Sequence, residues 1–146
     1  MKLLLAYDGL APSRPALEEA AREAREEGYE VTVLSVVPPD ARPSKSGGHM
    51  GLPPHAEEDL AEAGAYLEQH GVVPQTRVAW GKPAEEILGE ARRGYDLIVL
   101  GTRELGTLSQ LLLGSVGRKV TKDAPCPVTV AGASGTRSFE PLAAVR

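Results

Sequence analysis

The residues best suited to chemistry lie at the two ends of the stretch 101–116. Gly101 stands at its start and Gly114-Ser115 near its end. The stretch follows an apolar run, 97–100, and precedes a helical segment. Glycine lets a backbone approach a ligand closely, and a helix that begins at Ser115 offers unpaired N–H groups to an anion. This spacing suggests a phosphate site. The alternative for Gly114 and Ser115 is an ordinary helix N-cap after a tight turn.

The remaining chemically capable residues form no recognisable constellation. His49 and His55 lie in or beside a loop and His70 lies near a helix end, so we interpret them as solvated side chains. Cys126 is the sole cysteine, which excludes an internal disulfide and a multi-cysteine metal site. It is typical of a small core residue. Without a nucleophile motif or a P-loop, we predict no catalytic side chain and no metal ligand, and a general α/β enzyme is the weakest interpretation.

Length and composition indicate one ordinary globular domain. The 146 residues are 42% hydrophobic and 25% charged, and the net charge is −4. An acidic chain without a basic patch is not typical of a nucleic-acid-binding protein. No window approaches the ~20 apolar residues of a membrane span, and the first residues lack a signal-peptide cleavage pattern. We therefore expect a cytoplasmic protein without nucleic-acid or membrane partners.

Hydrophobic periodicity predicts strands that alternate with helices. The proline- and glycine-rich residues 38–54 predict a flexible internal loop, and residues 132–146 lack periodicity and are interpreted as a C-terminal tail. The alternation predicts a three-layer, doubly wound α/β fold with a five-stranded parallel sheet in the order 3-2-1-4-5 and a single domain. The predicted strands are 3–7, 31–37, 72–80, 95–100 and 126–131. The predicted helices are one capped by Ser13 and stopped by Gly28, one at about 55–70, one opened by Gly81-Lys82-Pro83 and stopped by Gly94, and one from Ser115 to about Lys122.

The predicted strand order brings two strand ends together. Strands one and four are neighbours where the strand order reverses, and ligands of such sheets bind there, beyond the carboxyl ends of the strands. Asp8 follows strand one and Gly101 follows strand four. Asp8 could hydrogen-bond a ligand or form an Asx-type turn. Gly101 could admit a ribose or phosphate, or could simply end a strand.

Five segments of the chain together resemble the universal stress protein family over nearly the whole length. The resemblance implies a universal stress protein domain at 1–131, a role in stress response, and ATP binding. The segments are Tyr7-Asp8-Gly9, Gly81-Lys82-Pro83-Ala84-Glu85-Glu86-Ile87, Tyr95-Asp96-Leu97-Ile98-Val99-Leu100-Gly101-Thr102-Arg103, Leu113-Gly114-Ser115-Val116 and Ala124-Pro125-Cys126-Pro127-Val128.

The family's ATP-binding members have the pattern glycine, two residues, glycine, nine residues, glycine, then serine or threonine. In this chain Gly101 and the pair Gly114-Ser115 match it, but Glu104 replaces the middle glycine and Leu10 stands where the family often has serine or threonine. The resemblance implies that Asp8 contacts the nucleoside and that the Val36 backbone contacts adenine. The full set of nucleotide-binding residues it implies is Asp8, Val36, Gly101, Thr102, Arg103, Gly114, Ser115 and Val116.

Glu104 is the residue that departs most from this pattern, because a carboxylate repels a triphosphate unless a cation intervenes. Glu104 could point to solvent while Gly106 supplies flexibility, or Arg103 could neutralise it or the phosphates. A third possibility is that the protein binds a smaller nucleotide, such as AMP or ADP, or none.

Two functions from different classes remain open. The first is a nucleotide-binding stress protein, in which Mg²⁺ would accompany ATP and hydrolysis would be slow at most, because no side chain stands out as a general base. The second is a nucleotide-free dimeric scaffold, paired as the resemblance implies through the last strand, from Cys126 to Ala131, an edge that would otherwise be exposed. Gly114-Ser115 favours the first and Glu104 the second.

Overall fold

The computed structural model describes residues 1–7, 14–38, 54–101, 114–132 and 135–141. These residues form four helices and a six-stranded sheet in the order β3-β2-β1-β4-β5-β6. The predicted α/β class and the order 3-2-1-4-5 are confirmed. The elements are β1 (Lys2–Ala6), α1 (Arg14–Glu27), β2 (Glu30–Val37), α2 (Pro54–Gln69), β3 (Gln75–Trp80), α3 (Pro83–Ala91), β4 (Leu97–Gly101), α4 (Ser115–Asp123), β5 (Val128–Gly132) and β6 (Gly135–Phe139).

The sheet is buried on both faces, which explains why its central strands are continuous apolar runs. β1 to β5 pair in parallel. Leu3 and Leu5 face the core beneath α1 and α2, whereas Leu4 faces the core beneath α3 and α4, which includes Val120. All three leucines of β1 are fully buried.

β6 is the main difference from the sequence prediction. Residues 135–139, which were expected to belong to an irregular tail, pair antiparallel with β5, and Gly132 opposes Gly135. The sequence Gly-Thr-Arg-Ser-Phe has no apolar alternation and so gave no strand signal. The expectation that the last parallel strand is an exposed edge is wrong, because β5 lies between β4 and β6.

β3 and β4 begin later than predicted because the residues expected to start them complete the preceding helices, and β5 begins at Val128 instead of Cys126. Val72 N–H donates to the Leu67 carbonyl at 2.9 Å, and β3 starts only after Pro74, which has no N–H to donate to a sheet. Tyr95 N–H donates to the Ala91 carbonyl at 3.4 Å, so β4 starts at Leu97. Of the loop predicted at 38–54, only the two end residues are described.

Candidate functional site

The strand order reverses between β1 and β4. Leu5 of β1 opposes Val33 of β2 on one side and Val99 of β4 on the other. The chain therefore leaves β1 toward one half of the sheet and later enters the other half, which creates a crevice at the carboxyl ends of these strands. Gly101 is the last residue of β4 and is half-buried opposite Ala131.

The carboxyl end of β1 is fixed by hydrogen bonds from Tyr7. Its backbone N–H donates to the Leu34 carbonyl at 3.0 Å, and its hydroxyl donates to Glu62 Oε1 of α2, also at 3.0 Å. Glu62 also pairs with Arg14 at 2.9 Å. Burial, followed by the hydrogen bond to Glu62, raises the pKa of Tyr7 to about 12. Tyr7 is thus a neutral donor at physiological pH, directly before Asp8, which lies outside the described residues.

The start of α4 has donors but no side-chain cap among the described residues. Gly114 is the N-cap, with an extended backbone (φ −72°, ψ −177°), and a Cβ atom there would meet nothing within 4 Å. Neither the backbone conformation nor packing of the described residues therefore requires glycine. Arg118 N–H makes the first helical bond, to the Gly114 carbonyl at 2.9 Å. The N–H groups of Ser115, Val116 and Gly117 precede it and have no intrahelical acceptor.

The charges near the start of α4 also suit an anion. Its first turn contains no acidic residue, and Arg118 and Lys119 follow at once. Basic side chains near a helix N-terminus oppose the helix dipole, so the sequence departs here from the charge distribution that stabilises a free helix. Lys119 Nζ lies 3.5 Å from Asp123 Oδ2, which balances it one turn later. This end of the helix is electropositive and could stabilise a phosphate group.

A patch of small apolar side chains lies at the carboxyl ends of the first three strands. Ala6, Val36 and Ala79, here called the apolar shelf, are partly buried and pack against the core beneath α3 and α4. Val36 opposes Ala79, and Ala6 opposes Leu34, two residues before Val36. Val116 of α4 packs on the same core. The shelf could therefore contact a planar ring whose charged group lies at the α4 N-terminus.

Sequence reasoning missed two residues of the shelf. Val36 was predicted through its backbone, whereas Ala6 and Ala79 were not singled out. The only indication is their position in the strands. Side chains alternate between the two faces of a strand, and in the order 3-2-1-4-5 this alternation places Ala6, Val36 and Ala79 on the sheet face beneath α3 and α4. Three neighbouring strands that each carry a small apolar residue on this face near the carboxyl end would have indicated the shelf.

Five of the predicted site residues belong to this edge of the sheet. Val36 is the last residue but one of β2, and Gly101 ends β4. The other three, Gly114, Ser115 and Val116, form the start of α4. Asp8, Thr102, Arg103 and Glu104 lie outside the described residues, so their predicted roles remain predictions.

Of the residues that could bind a metal or react, the structure shows the surroundings of His70 and Cys126. His70 Nδ1 lies 2.7 Å from the Tyr66 carbonyl, and its ring stacks on Tyr66 with centroids 4.3 Å apart. Cys126 is buried, and this burial, followed by the charge of Asp96, raises the pKa of its thiol to about 11. Within the described ranges no group of three or more His, Cys, Asp or Glu side chains could hold a metal ion. His49 lies outside them.

A cavity of about 640 Å³ lies at the opposite, amino-terminal edge of the sheet. Its most buried charged group, Glu90, is already paired: Oε1 lies 3.3 Å from Arg77 Nε and 3.7 Å from Arg93, and Oε2 accepts from the Tyr95 hydroxyl at 2.8 Å. These groups satisfy one another and join α3 to β3. We therefore place the candidate ligand site at the carboxyl edge.

The fold is that of the doubly wound α/β domains, whose ligands bind beyond the carboxyl ends of the strands where the strand order reverses. The family model described as the universal stress protein family matches residues 1–132, and the chain belongs to that family. The universal stress protein YxiE of Bacillus subtilis is 33% identical over 143 residues, covering 88% of this chain and 97% of the relative. A universal stress protein of Thermus aquaticus is 36% identical over 138 residues, covering 86% and 94%.

Solved structures share the fold. A universal stress protein from Archaeoglobus fulgidus in complex with dAMP matches with a TM-score of 0.70 and 24% identity, covering 90% of this chain and 97% of that one. A universal stress protein in complex with cAMP matches with a TM-score of 0.71 and 22% identity, covering 92% and 98%. In the part of the chain that the structure describes, no helix is both long and apolar enough to cross a membrane.

Proposed function

We propose that this protein binds an adenine nucleotide at the carboxyl edge of its sheet. The observation that carries the proposal is Gly114. It begins α4 without a capping side chain, in a conformation open to any residue and with open space beside it. The described residues give no reason for glycine there, whereas a phosphate group bound against the backbone would.

The apolar shelf would contact the base, and the α4 N-terminus would bind the phosphates. Two universal stress proteins of the same fold are described as complexes with dAMP and with cAMP, which supports an adenine nucleotide as the ligand class. Within this proposal Asp8 hydrogen-bonds the nucleoside, Val36 contacts adenine through its backbone, and Gly101, Thr102 and Arg103 complete the phosphate side. ATP with Mg²⁺ is the form that we propose, with Arg103 offsetting the charge of Glu104.

Binding rather than catalysis is the proposed activity. None of the site residues singled out at the carboxyl edge stands out as a general base. The nucleotide would therefore act as a signal in a cytoplasmic stress response, which the family name suggests. Hydrolysis would be slow at most.

A nucleotide-free dimeric scaffold is the second candidate, and Glu104 is the observation that favours it. A carboxylate in place of a glycine of the phosphate pattern would weaken a triphosphate complex. The homodimer through Cys126 to Ala131 belongs to this candidate, but it requires β6 to leave the edge of β5.

Calorimetric titration with ATP and Mg²⁺, and separately with AMP, tests the proposal. The decisive variant is Gly114→Asp, because aspartate is a good N-cap and should preserve α4 while its carboxylate repels phosphate. We expect the wild type to bind and Gly114→Asp to lose binding while its circular dichroism spectrum stays native. The matched control is Gly89→Ala, in a helix where a Cβ atom also meets nothing within 4 Å, which should bind as the wild type does.

Two results would overturn the proposal in different ways. If Gly114→Asp binds ATP as tightly as the wild type, the phosphate site is wrong. If the wild type binds neither nucleotide and Glu104→Gly binds ATP, the scaffold function gains support and Glu104 explains the absence of ATP binding.

A further inference from the structure

A single oxygen atom of α2 contacts both the residue that follows β1 and the first residue of α1. Glu62 Oε1 accepts a hydrogen bond from the Tyr7 hydroxyl at 3.0 Å, and it lies 2.9 Å from Arg14 Nη2. Tyr7 directly follows β1, and Arg14 begins α1. These two contacts, here called the Glu62 clamp, join both ends of the connection 8–13, which itself lies outside the described residues, to a third element.

The stability of the fold does not by itself explain the Glu62 clamp. The side chains of Arg14 and Glu62 are 52% and 41% exposed, and ion pairs at that exposure contribute little to stability. The Tyr7 side chain is buried, so its hydroxyl needs an acceptor, but a phenylalanine at this position would remove that need. A tyrosine and a carboxylate therefore occupy positions at which phenylalanine and alanine would serve the fold.

The Glu62 clamp acts on the part of β1 that borders the proposed nucleotide site. β1 ends at the carboxyl edge of the sheet, where the strand order reverses between it and β4. Ala6, which belongs to the apolar shelf, directly precedes Tyr7, and Asp8 directly follows it in the sequence. A constraint on the position of Tyr7 is therefore a constraint on the backbone that leads to both residues.

We propose that Glu62 is a positioning residue of the nucleotide site, which acts through Tyr7 and Arg14 and does not touch the nucleotide. Fixing both ends of a connection limits the conformations open to it, which lowers the entropy lost when a ligand binds there. The clamp thereby raises the affinity for the nucleotide and makes that affinity depend on the attachment of α2 to β1 and α1. This inference rests on the proposed function.

Calorimetric titration of the whole chain with AMP tests the proposal in the double variant Tyr7→Phe/Glu62→Ala. This variant removes the clamp without leaving a buried hydroxyl unpaired, so its urea midpoint should stay close to that of the wild type. We expect the AMP dissociation constant to rise about tenfold, equivalent to about 1.4 kcal/mol. The matched control is Glu68→Ala, which removes the same charge from an exposed position later in α2 and should bind as the wild type does.

The conservative variant Glu62→Gln separates positioning from charge. Its amide oxygen can still accept hydrogen bonds from Tyr7 and Arg14, although more weakly than a carboxylate, so the AMP dissociation constant should rise no more than about threefold. If Glu62 acted only through its negative charge near the phosphate, Glu62→Gln would bind AMP more tightly than the wild type does. Tighter binding would therefore contradict the proposal.

The variant Arg14→Ala determines whether Arg14 acts through Glu62. Its side chain is half exposed, so its removal should leave the core intact even if the double variant proves to be destabilised. Alone, Arg14→Ala should weaken AMP binding less than the double variant does. Added to Tyr7→Phe/Glu62→Ala, it should have no further effect, because its partner is already missing. A further loss would show that Arg14 contacts the nucleotide itself and would contradict its place in the clamp.

The possible results distinguish this proposal from the proposed function. If the wild type binds AMP and a natively folded Tyr7→Phe/Glu62→Ala binds it equally well, the Glu62 clamp has no role in binding, and the proposed function stands without it. Unchanged AMP affinity in Arg14→Ala would likewise overturn the part of the proposal that concerns α1. If the wild type binds neither AMP nor ATP, the proposed function is wrong and the role of Glu62 is wrong with it.

Discussion

The hydroxyl of Tyr7 donates a hydrogen bond to Glu62 Oε1 across 3.0 Å, which joins the carboxyl end of β1 to α2. Only 2% of Tyr7 is exposed, and the residue that follows it is Asp8. The bond therefore fixes the end of β1 directly before Asp8, the residue that we propose hydrogen-bonds the nucleoside. Within the proposed function, this hydrogen bond between β1 and α2 would help to position the nucleotide site.

Tyr7 should make the stability of the protein depend on alkaline pH. The pKa of the Tyr7 hydroxyl is raised from 10.0 to about 12 in the folded protein, so the hydroxyl ionises at a lower pH in the unfolded chain than in the folded one. The contribution of Tyr7 is fully present below pH 10 and is lost as pH rises toward 12. Urea unfolding at intervals across that range should show a steeper loss for the wild type than for Tyr7→Phe. Equal slopes would mean that the phenol ionises alike in both states.

Cys126 should be unreactive in the native protein. Its thiol is buried and its pKa is raised to about 11, so almost no thiolate exists near neutral pH and a reagent cannot reach it. Alkylation by iodoacetamide should be slow in buffer and fast in denaturant. The free thiol of a denatured sample is the internal control, and rapid native labelling would show that this part of the structure opens readily.

Two glycine substitutions should change stability in opposite directions. Gly81 has φ +152°, and a Cβ atom there would lie 3.0 Å from the Glu86 side chain, so Gly81→Ala should lower the free energy of unfolding by about 1–3 kcal/mol. Gly89 is in the middle of α3 with open space around it, so Gly89→Ala should raise that free energy by about 0.5–1 kcal/mol. Chemical denaturation of both variants beside the wild type measures each difference. A Gly81→Ala variant as stable as the wild type would contradict the strain argument.

The first five strands and the helices between them could be predicted because they depend on local signals, and the rules for crossovers between parallel strands limit the order of the sheet. Apolar runs such as 97–100 mark buried strands, and glycines such as Gly28 and Gly71, both with positive φ, end the helices before them. β6 could not be predicted this way. Its only apolar side chain is Phe139, and the strand forms because the β5 edge supplies its hydrogen-bond partners. That information is tertiary and is absent from a local window.

Part of the candidate site could likewise be predicted from the sequence, and part of it could not. Gly114 and Ser115 were identifiable from spacing and family resemblance, because a helix N-terminus has a local signature. Ala6 and Ala79 were not, because a small residue near a strand end has no signature until the strand order is known. The open space beside Gly114 is likewise a property of the folded chain alone.

The apolar shelf yields the last prediction. Ala79→Leu should place a larger side chain where the base would lie and weaken adenine nucleotide binding by about tenfold, or about 1.4 kcal/mol. Thr76→Leu is the control, because Thr76 is exposed on the same strand and opposes Val33, which belongs to the core on the other face of the sheet. Calorimetry with AMP compares both variants with the wild type, and their urea midpoints verify that folding is unchanged. If both bind as the wild type does, the base lies elsewhere, even if Gly114→Asp still abolishes binding.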